Sequence, residues 1–97
     1  MTGFVVGGSR LSVRRRRLVF RAWHRGIREM DLILGSYVDA HIANMSGEAV
    51  SELEYIMSFD DRDLFMWITG EISPPSEIIN SPLFHDIVNY RVYTSSN

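Results

Sequence analysis

Residues 21–31 read Arg-Ala-Trp-His-Arg-Gly-Ile-Arg-Glu-Met-Asp, and the chain changes character across them. Residues 1–28 hold eight arginines and no acid, whereas residues 29–77 hold eleven acids against Arg62 alone. A glycine, Gly26, sits at the changeover. Upstream, Val13 to Trp23 suits a helix that Ser12 can N-cap. Downstream, Ile27, Met30, Leu34, Tyr37, Val38, His41 and Met45 recur at three- and four-residue spacing, which predicts a helix from Ile27 to about Asn44 with one apolar face. Gly26 is then the stop between them, a residue free to take the left-handed conformation that ends a helix. Glu29 and Asp31 fall at the start of the second helix, where negative charge suits the dipole. Glu29 points roughly opposite the apolar face, and Leu32 also falls off it. Gly35 costs about 1 kcal/mol against alanine inside a helix, and close helix packing would explain it.

The same reading extends toward the C-terminus. Ser46 caps a third helix to about Ser58, with Ala49, Val50, Leu53, Ile56 and Met57 inward. Asp60 caps a fourth, with Asp61 and Asp63 in its first turn, Leu64, Trp67 and Ile68 inward, and Gly70 as its stop. Pro74-Pro75 forms a turn. Ser81 followed by Pro82 is a cap-then-first-position pair opening a last helix to about Tyr93. The expected fold is all-α, a single small bundle of about five helices. Its helical domain covers residues 12–93, between a glycine-rich flexible tail at 1–11 and a polar tail at 94–97.

The composition narrows the function. Ninety-seven residues with 45% apolar and 23% charged content fit one soluble domain. There is no cysteine, so disulfides and thiolate metal sites are excluded. The three histidines, His24, His41 and His85, lack the close spacing of a zinc site. His41 lies on the apolar stripe and reads as a hydrogen-bonded core residue. The acid pairs have helix-capping roles rather than the cleft that separates catalytic pKa values. No Gly-x-Ser-x-Gly elbow occurs, and Gly7-Gly8-Ser9 lacks the lysine of a phosphate loop. A binding protein is expected rather than an enzyme. All ten basic residues are arginines, and Arg14 to Arg17 could meet nucleic-acid phosphates. The bland alternative pairs them with the protein's own acidic body, and a pI of 5.8 lacks the footprint of a nucleic-acid binder. The Arg-rich, acid-free leader is similar to a mitochondrial presequence, but it runs straight into the turn, so a cleavable segment is not expected.

The turn itself has two readings. Arg25 and Glu29 can pair across a plain helix stop and restart. Alternatively, the bare backbone of Gly26 lets another chain approach, oriented by the charges beside it. Here the residues resemble a known family. The R-G-x-x-E pattern of Arg25 to Glu29, continued by Met30-Asp31-Leu32, is similar to the succinate dehydrogenase assembly factors, also called SdhE or flavinator proteins. Asp60-Asp61-Arg62-Asp63-Leu64-Phe65-Met66-Trp67 resembles that family's acidic-then-tryptophan helix. Together the two segments and the spacing between them cover roughly residues 13–79.

The resemblance implies a five-helix protein that binds the flavoprotein subunit of succinate dehydrogenase, and in some bacteria of fumarate reductase, and promotes covalent attachment of FAD. It places the client-contacting site on Arg25, Gly26 and Glu29, with Arg28, Asp31, Trp23 and His24 as neighbours. The flavin and the histidine that attacks it would both belong to the client, so no tightly bound cofactor of this chain is expected. No nucleic acid and no membrane insertion are expected. The expected location is the bacterial cytoplasm, or alternatively the mitochondrial matrix. A nucleic-acid-binding or antitoxin-like regulator using Arg14 to Arg17 is the competing function.

Overall fold

The structure, a computed structural model, describes residues 11–95. The expected flexible leader, apart from Leu11, and the last two residues of the polar tail lie outside the described residues. Among the described residues six helices follow in order: α1 Val13–Trp23, α2 Arg28–His41, α3 Gly47–Met57, α4 Asp61–Thr69, α5 Ser76–Ile79 and α6 Pro82–Ser95, with a 3-10 turn Ile42–Asn44 after α2. Among the described residues there is no strand.

Four of these helices, α1, α3, α4 and α6, start where a capping side chain places them. Ser12 Oγ accepts the Arg15 amide at 3.2 Å, and Ser46 Oγ accepts that of Ala49 at 3.1 Å. Asp60 Oδ2 accepts the Arg62 amide at 3.1 Å. Such caps contribute about 1 kcal/mol each. Gly70 ends α4 with a φ of 82°, a left-handed stop that disfavours any side chain. Ser81 Oγ accepts the Phe84 amide at 3.1 Å and donates its own proton to Glu52 on α3. The cap of α6 is thereby also a tie to a neighbouring helix.

Two details depart from the sequence-based expectation. The turn at Pro74-Pro75 leads into the one-turn helix α5, with Pro75 as its N-cap. The second helix does not stay α-helical to Asn44. It tightens at Ile42, a common way to close a helix end. Arg15 reaches the freed carbonyls there, donating from Nη1 to Ile42 O at 2.6 Å and to Met45 O at 2.7 Å. An arginine at a helix C-terminus answers both the orphan carbonyls and the negative end of the dipole.

The core is built from the apolar stripes. Leu18, Val19 and Ala22 of α1 meet Met30, Leu34 and Val38 of α2, with Leu53, Ile56, Leu64, Ile78 and Ile87 closing the interior. Full burial of each large aliphatic chain contributes roughly 1.5–3 kcal/mol. The α-carbon radius of gyration is 12.9 Å, as expected for about this length. Gly35 is buried because the indole of Trp23 lies across it. A Cβ added there would stand 2.3 Å from Trp23 Cδ2. Of the expected inward residues, Ala49 and Trp67 are half-buried rather than core. His41 is also half-buried, stacked on Tyr37 with ring centroids 4.2 Å apart, its Nδ1 2.8 Å from Tyr37 O.

Tyr37 is buried and donates its hydroxyl to Asp86 Oδ2 of α6 at 2.5 Å. Burial first, then the hydrogen bond to Asp86 and the nearby negative charges, push its pKa well above the usual tyrosine value. The folded state therefore holds this proton more tightly than the unfolded state does. The resulting stability is fully present below pH ~10 and is lost as pH rises above it. Tyr37→Phe should cost about 1 kcal/mol at neutral pH and make the fall in melting temperature between pH 9 and pH 11 shallower than in the parent. Equal slopes for the two proteins would refute the assignment.

Candidate functional site

The α1–α2 corner runs from Trp23 to Asp31. Helix α1 ends at Trp23, with His24 as its C-cap donating its amide to Arg21 O. Helix α2 begins at Arg28 with Ile27 as N-cap, which offers no side-chain acceptor to the first amides. Asp31 reaches back instead and accepts the Arg25 amide at 2.5 Å.

The corner is held from below by the start of α4. Arg25 pairs through Nε with Asp61 Oδ1. Its Nη1 donates to Met57 O at 2.8 Å and its Nη2 to Phe59 O at 2.9 Å. The other carboxylate oxygen of Asp61 accepts the Gly26 amide at 2.6 Å. Only 11% of the Arg25 side chain and 17% of that of Asp61 remain exposed. Planar guanidinium geometry suits this three-way anchoring in a way an ammonium would not.

These contacts correct two sequence-based expectations. Arg25 does not pair with Glu29 across the turn; its partner is Asp61, thirty-six residues further along. Nor does Gly26 serve by a left-handed backbone, because among the described residues the positive φ belongs to Gly70 alone. Gly26 matters for space: a Cβ there would come 3.1 Å from Asp61 Oδ2. That oxygen cannot swing away without disturbing the Arg25 pair. Gly26→Ala should therefore lower stability by about 1 kcal/mol, measurable by urea titration. A neutral or stabilising result would show that the carboxylate has room to move.

The seven residues expected at the site occupy one corner, in two postures. His24, Gly26, Arg28 and Glu29 are exposed. Among the described residues Arg28 and Glu29 have no side-chain hydrogen bond or ion pair, whereas His24 stacks on Phe20 with centroids 4.0 Å apart. Arg25, Asp31 and Trp23 are half-buried and turned toward the protein. Trp23 Nε1 is buried and has no hydrogen-bond partner among the described residues. Leu32, one turn beyond Glu29, is 53% exposed and prolongs the outward face of α2. Asp61 was read from sequence as a first-turn acid only. The signal for its second role was its place in the same shared pattern as Arg25.

The arginine run is partly spent inside the fold. Arg14 makes a bidentate contact with Glu54, at 2.9 and 2.6 Å, and donates to Ser51. The hydrogen bond from Arg14 holds the Glu54 carboxyl below the usual range. Arg15 is committed to the carbonyls at the end of α2. The bland reading of the run, pairing with the acidic body, thus holds for Arg14, whereas Arg15 is taken up by backbone carbonyls rather than by an acid. Among the described residues no group of three or more metal-ligating side chains occurs, and no helix is long and apolar enough to cross a membrane.

The corner is thus a two-signed, partly bare-backbone surface of a small helical body, fixed from beneath by Arg25 and Asp61, with Arg28 and Glu29 exposed. Residues 16–91 match the model of a protein family described as flavinator of succinate dehydrogenase, and the chain belongs to that family. Over 72 residues it is 39% identical to the FAD assembly factor SdhE of Acetobacter pasteurianus, a match covering 74% of this chain and 66% of that protein. It is 32% identical over 68 residues to the mitochondrial succinate dehydrogenase assembly factor 2 of Arabidopsis thaliana, covering 70% of this chain and 36% of that one. With the factor of the same name from Schizosaccharomyces japonicus it shares 33% identity over 76 residues, covering 78% and 53%. The matched segment thus spans between about a third and two thirds of these relatives' lengths. The relatives are named as assembly factors and not as enzymes.

Proposed function

We propose that this protein binds the flavoprotein subunit of succinate dehydrogenase and promotes covalent attachment of FAD to it, using the corner from Trp23 to Asp31 as its docking face. The observation that carries this reading is the posture of the corner. Its floor is tied by Arg25 and Asp61, while Arg28 and Glu29 stand exposed without partners among the described residues. A pre-organised, charged face of this kind loses little conformational freedom on binding. The family to which the chain belongs, and the names of its relatives, support succinate dehydrogenase as the client and FAD as the cofactor.

The chain's part is positional. FAD and the residue that bonds to it belong to the client, and FAD supplies the redox chemistry of the finished enzyme. This protein holds the unassembled subunit in one arrangement, and orientation of that kind can lower a barrier by several kcal/mol without donating a chemical group. The exposed Glu29 can accept hydrogen bonds from client backbone amides or an arginine, while Arg28 can engage a carboxylate. Exposed Leu32 adds apolar area beside them. We extend the same proposal to fumarate reductase, whose flavoprotein subunit presents an equivalent covalent flavin problem. The compartment follows the client, either a bacterial cytoplasm or a mitochondrial matrix.

Glu29→Ala gives the sharpest test, because the residue is exposed and tied to nothing among the described residues. Its stability should stay within about 0.5 kcal/mol of the parent. Covalent flavin on the co-produced flavoprotein subunit, read as in-gel fluorescence after denaturation, should fall by at least about ten-fold, the loss of one charge-assisted contact. Full fluorescence with the folded variant would refute the assignment of Glu29.

A further inference from the structure

We infer that Asp61, together with Arg25, is a positioning device for the docking corner, and that Arg25 acts through the fold rather than by touching the client. The inference rests on the assembly-factor reading and adds to it a residue from a different helix. Its basis is one carboxylate bridging two parts of the corner. Asp61 accepts from Arg25 Nε with one oxygen and from the Gly26 amide, at 2.6 Å, with the other. The guanidinium has its remaining nitrogens on Met57 O at 2.8 Å, at the end of α3, and on Phe59 O at 2.9 Å, in the α3–α4 link. All three guanidinium nitrogens are thus engaged beneath the surface, and the side chain is 11% exposed. A client that bonded Arg25 would first have to displace these partners. Charge-assisted bonds in a half-dry site are costly to exchange.

The outward members of the corner depend on this floor. Gly26 is followed directly by Ile27, the N-cap of α2, and then by Arg28 and Glu29. Fixing the Gly26 amide fixes the direction in which the chain enters α2. Asp31 fixes the other side of the same link by holding the Arg25 amide at 2.5 Å. Two carboxylates therefore grip successive backbone amides, Asp31 from α2 and Asp61 from α4. The start of α4 is coupled to the presentation of Glu29 even though it lies 32 positions away in the sequence. A shift of about 1 Å in a positioning contact can cost on the order of 100-fold.

The test combines a client-free readout with a coupling measurement. Amide hydrogen exchange of the full chain should show the Gly26 amide protected in the parent. That protection should be lost in Asp61→Ala while the amides of α1 and α2 stay protected. Affinity for purified flavoprotein subunit is then measured at low temperature, where far-UV circular dichroism shows each variant folded. Arg25→Ala and Asp61→Ala should each weaken binding by on the order of ten-fold, and the double variant should weaken it no further, as expected for two parts of one device. Asp61→Asn, which keeps the shape and one acceptor, replaces Asp61→Ala if the latter does not fold.

Three results overturn the inference. Retained Gly26 protection without Asp61 is one. Unchanged affinity in all variants is another, since the pair would then serve stability alone. The third is an Arg25→Ala loss that far exceeds the Asp61→Ala loss and multiplies with it, which would place Arg25 against the client. Failure of the parent protein to bind the subunit at all would instead overturn the assembly-factor reading, while the exchange result would still decide whether Asp61 sets the corner.

Discussion

Gly35→Val should destabilise the protein by about 3 kcal/mol, and Gly35→Ala by about 2 kcal/mol, against the direction that helix propensity alone would give. An alanine inside a helix ordinarily gains about 1 kcal/mol over glycine. Here its Cβ would stand 2.3 Å from Trp23 Cδ2, 2.4 Å from Cε3 and 2.7 Å from Cε2. These are atoms of a rigid fused ring, and the ring must move as a whole. The indole is wedged between α1 and α2, so moving it reopens the interface that contains Ala22, Met30 and Leu34. Overpacking of this kind exceeds the propensity gain. Urea denaturation of the two variants would measure the loss. Combining Gly35→Ala with Trp23→Leu should recover part of it, because the two changes share one contact and are not additive. A Gly35→Ala variant more stable than the parent would show that α1 and α2 are not in such close contact.

Arg25→Ala has the second large effect, about 3 kcal/mol of stability. The substitution leaves the Asp61 carboxylate, 17% exposed, without its cation and strips donors from the Met57 and Phe59 carbonyls. Removing one partner of a largely buried pair costs more than the pair contributes, because the other charge stays behind. Arg25→Lys should fall between, since an ammonium can pair with Asp61 but cannot bond three separated acceptors in one plane. Thermal or urea unfolding would rank the three proteins. Equal stability of Arg25→Ala and the parent would mean that the guanidinium is solvated rather than anchored.

The contrast with Arg14 shows how position decides the worth of an ion pair. Arg14 also makes a bidentate contact with a carboxylate, at 2.9 and 2.6 Å, yet its side chain is 49% exposed. Water screens that pair, and pairs of this type contribute little. Both arginines follow the same chemistry. Only Arg25 has its charge closed off by α4 and the link before it.

Periodicity made most of the fold legible in the sequence. Ser12, Ser46, Asp60 and Ser81 stand at the starts of helices because their side chains satisfy amides that no helix can satisfy itself. Gly70 stands at an end because of its φ. What sequence could not supply was partnership across long separations. Arg25 has an acid four residues away in Glu29, the local partner that spacing suggests, and another thirty-six away in Asp61. Only the packing of α4 under the corner selects the distant one. Gly26 was legible as special but for the wrong reason: its constraint comes from the Asp61 oxygen and not from its own dihedral angle. The end of α2 depended in the same way on Arg15, a residue twenty-seven positions earlier. The corner stood out in the sequence as a candidate through its mixed charges and the resemblance they carry, and its seven residues lie together because they all fall within positions 23–31.

The docking face is tested most directly by a hydrogen-exchange footprint of this protein, free and in complex with the flavoprotein subunit of succinate dehydrogenase. New protection is expected to concentrate on residues 24–32, at the corner and the first turn of α2. Protection confined to α3 and α6, with exchange at the corner unchanged by the subunit, would contradict it.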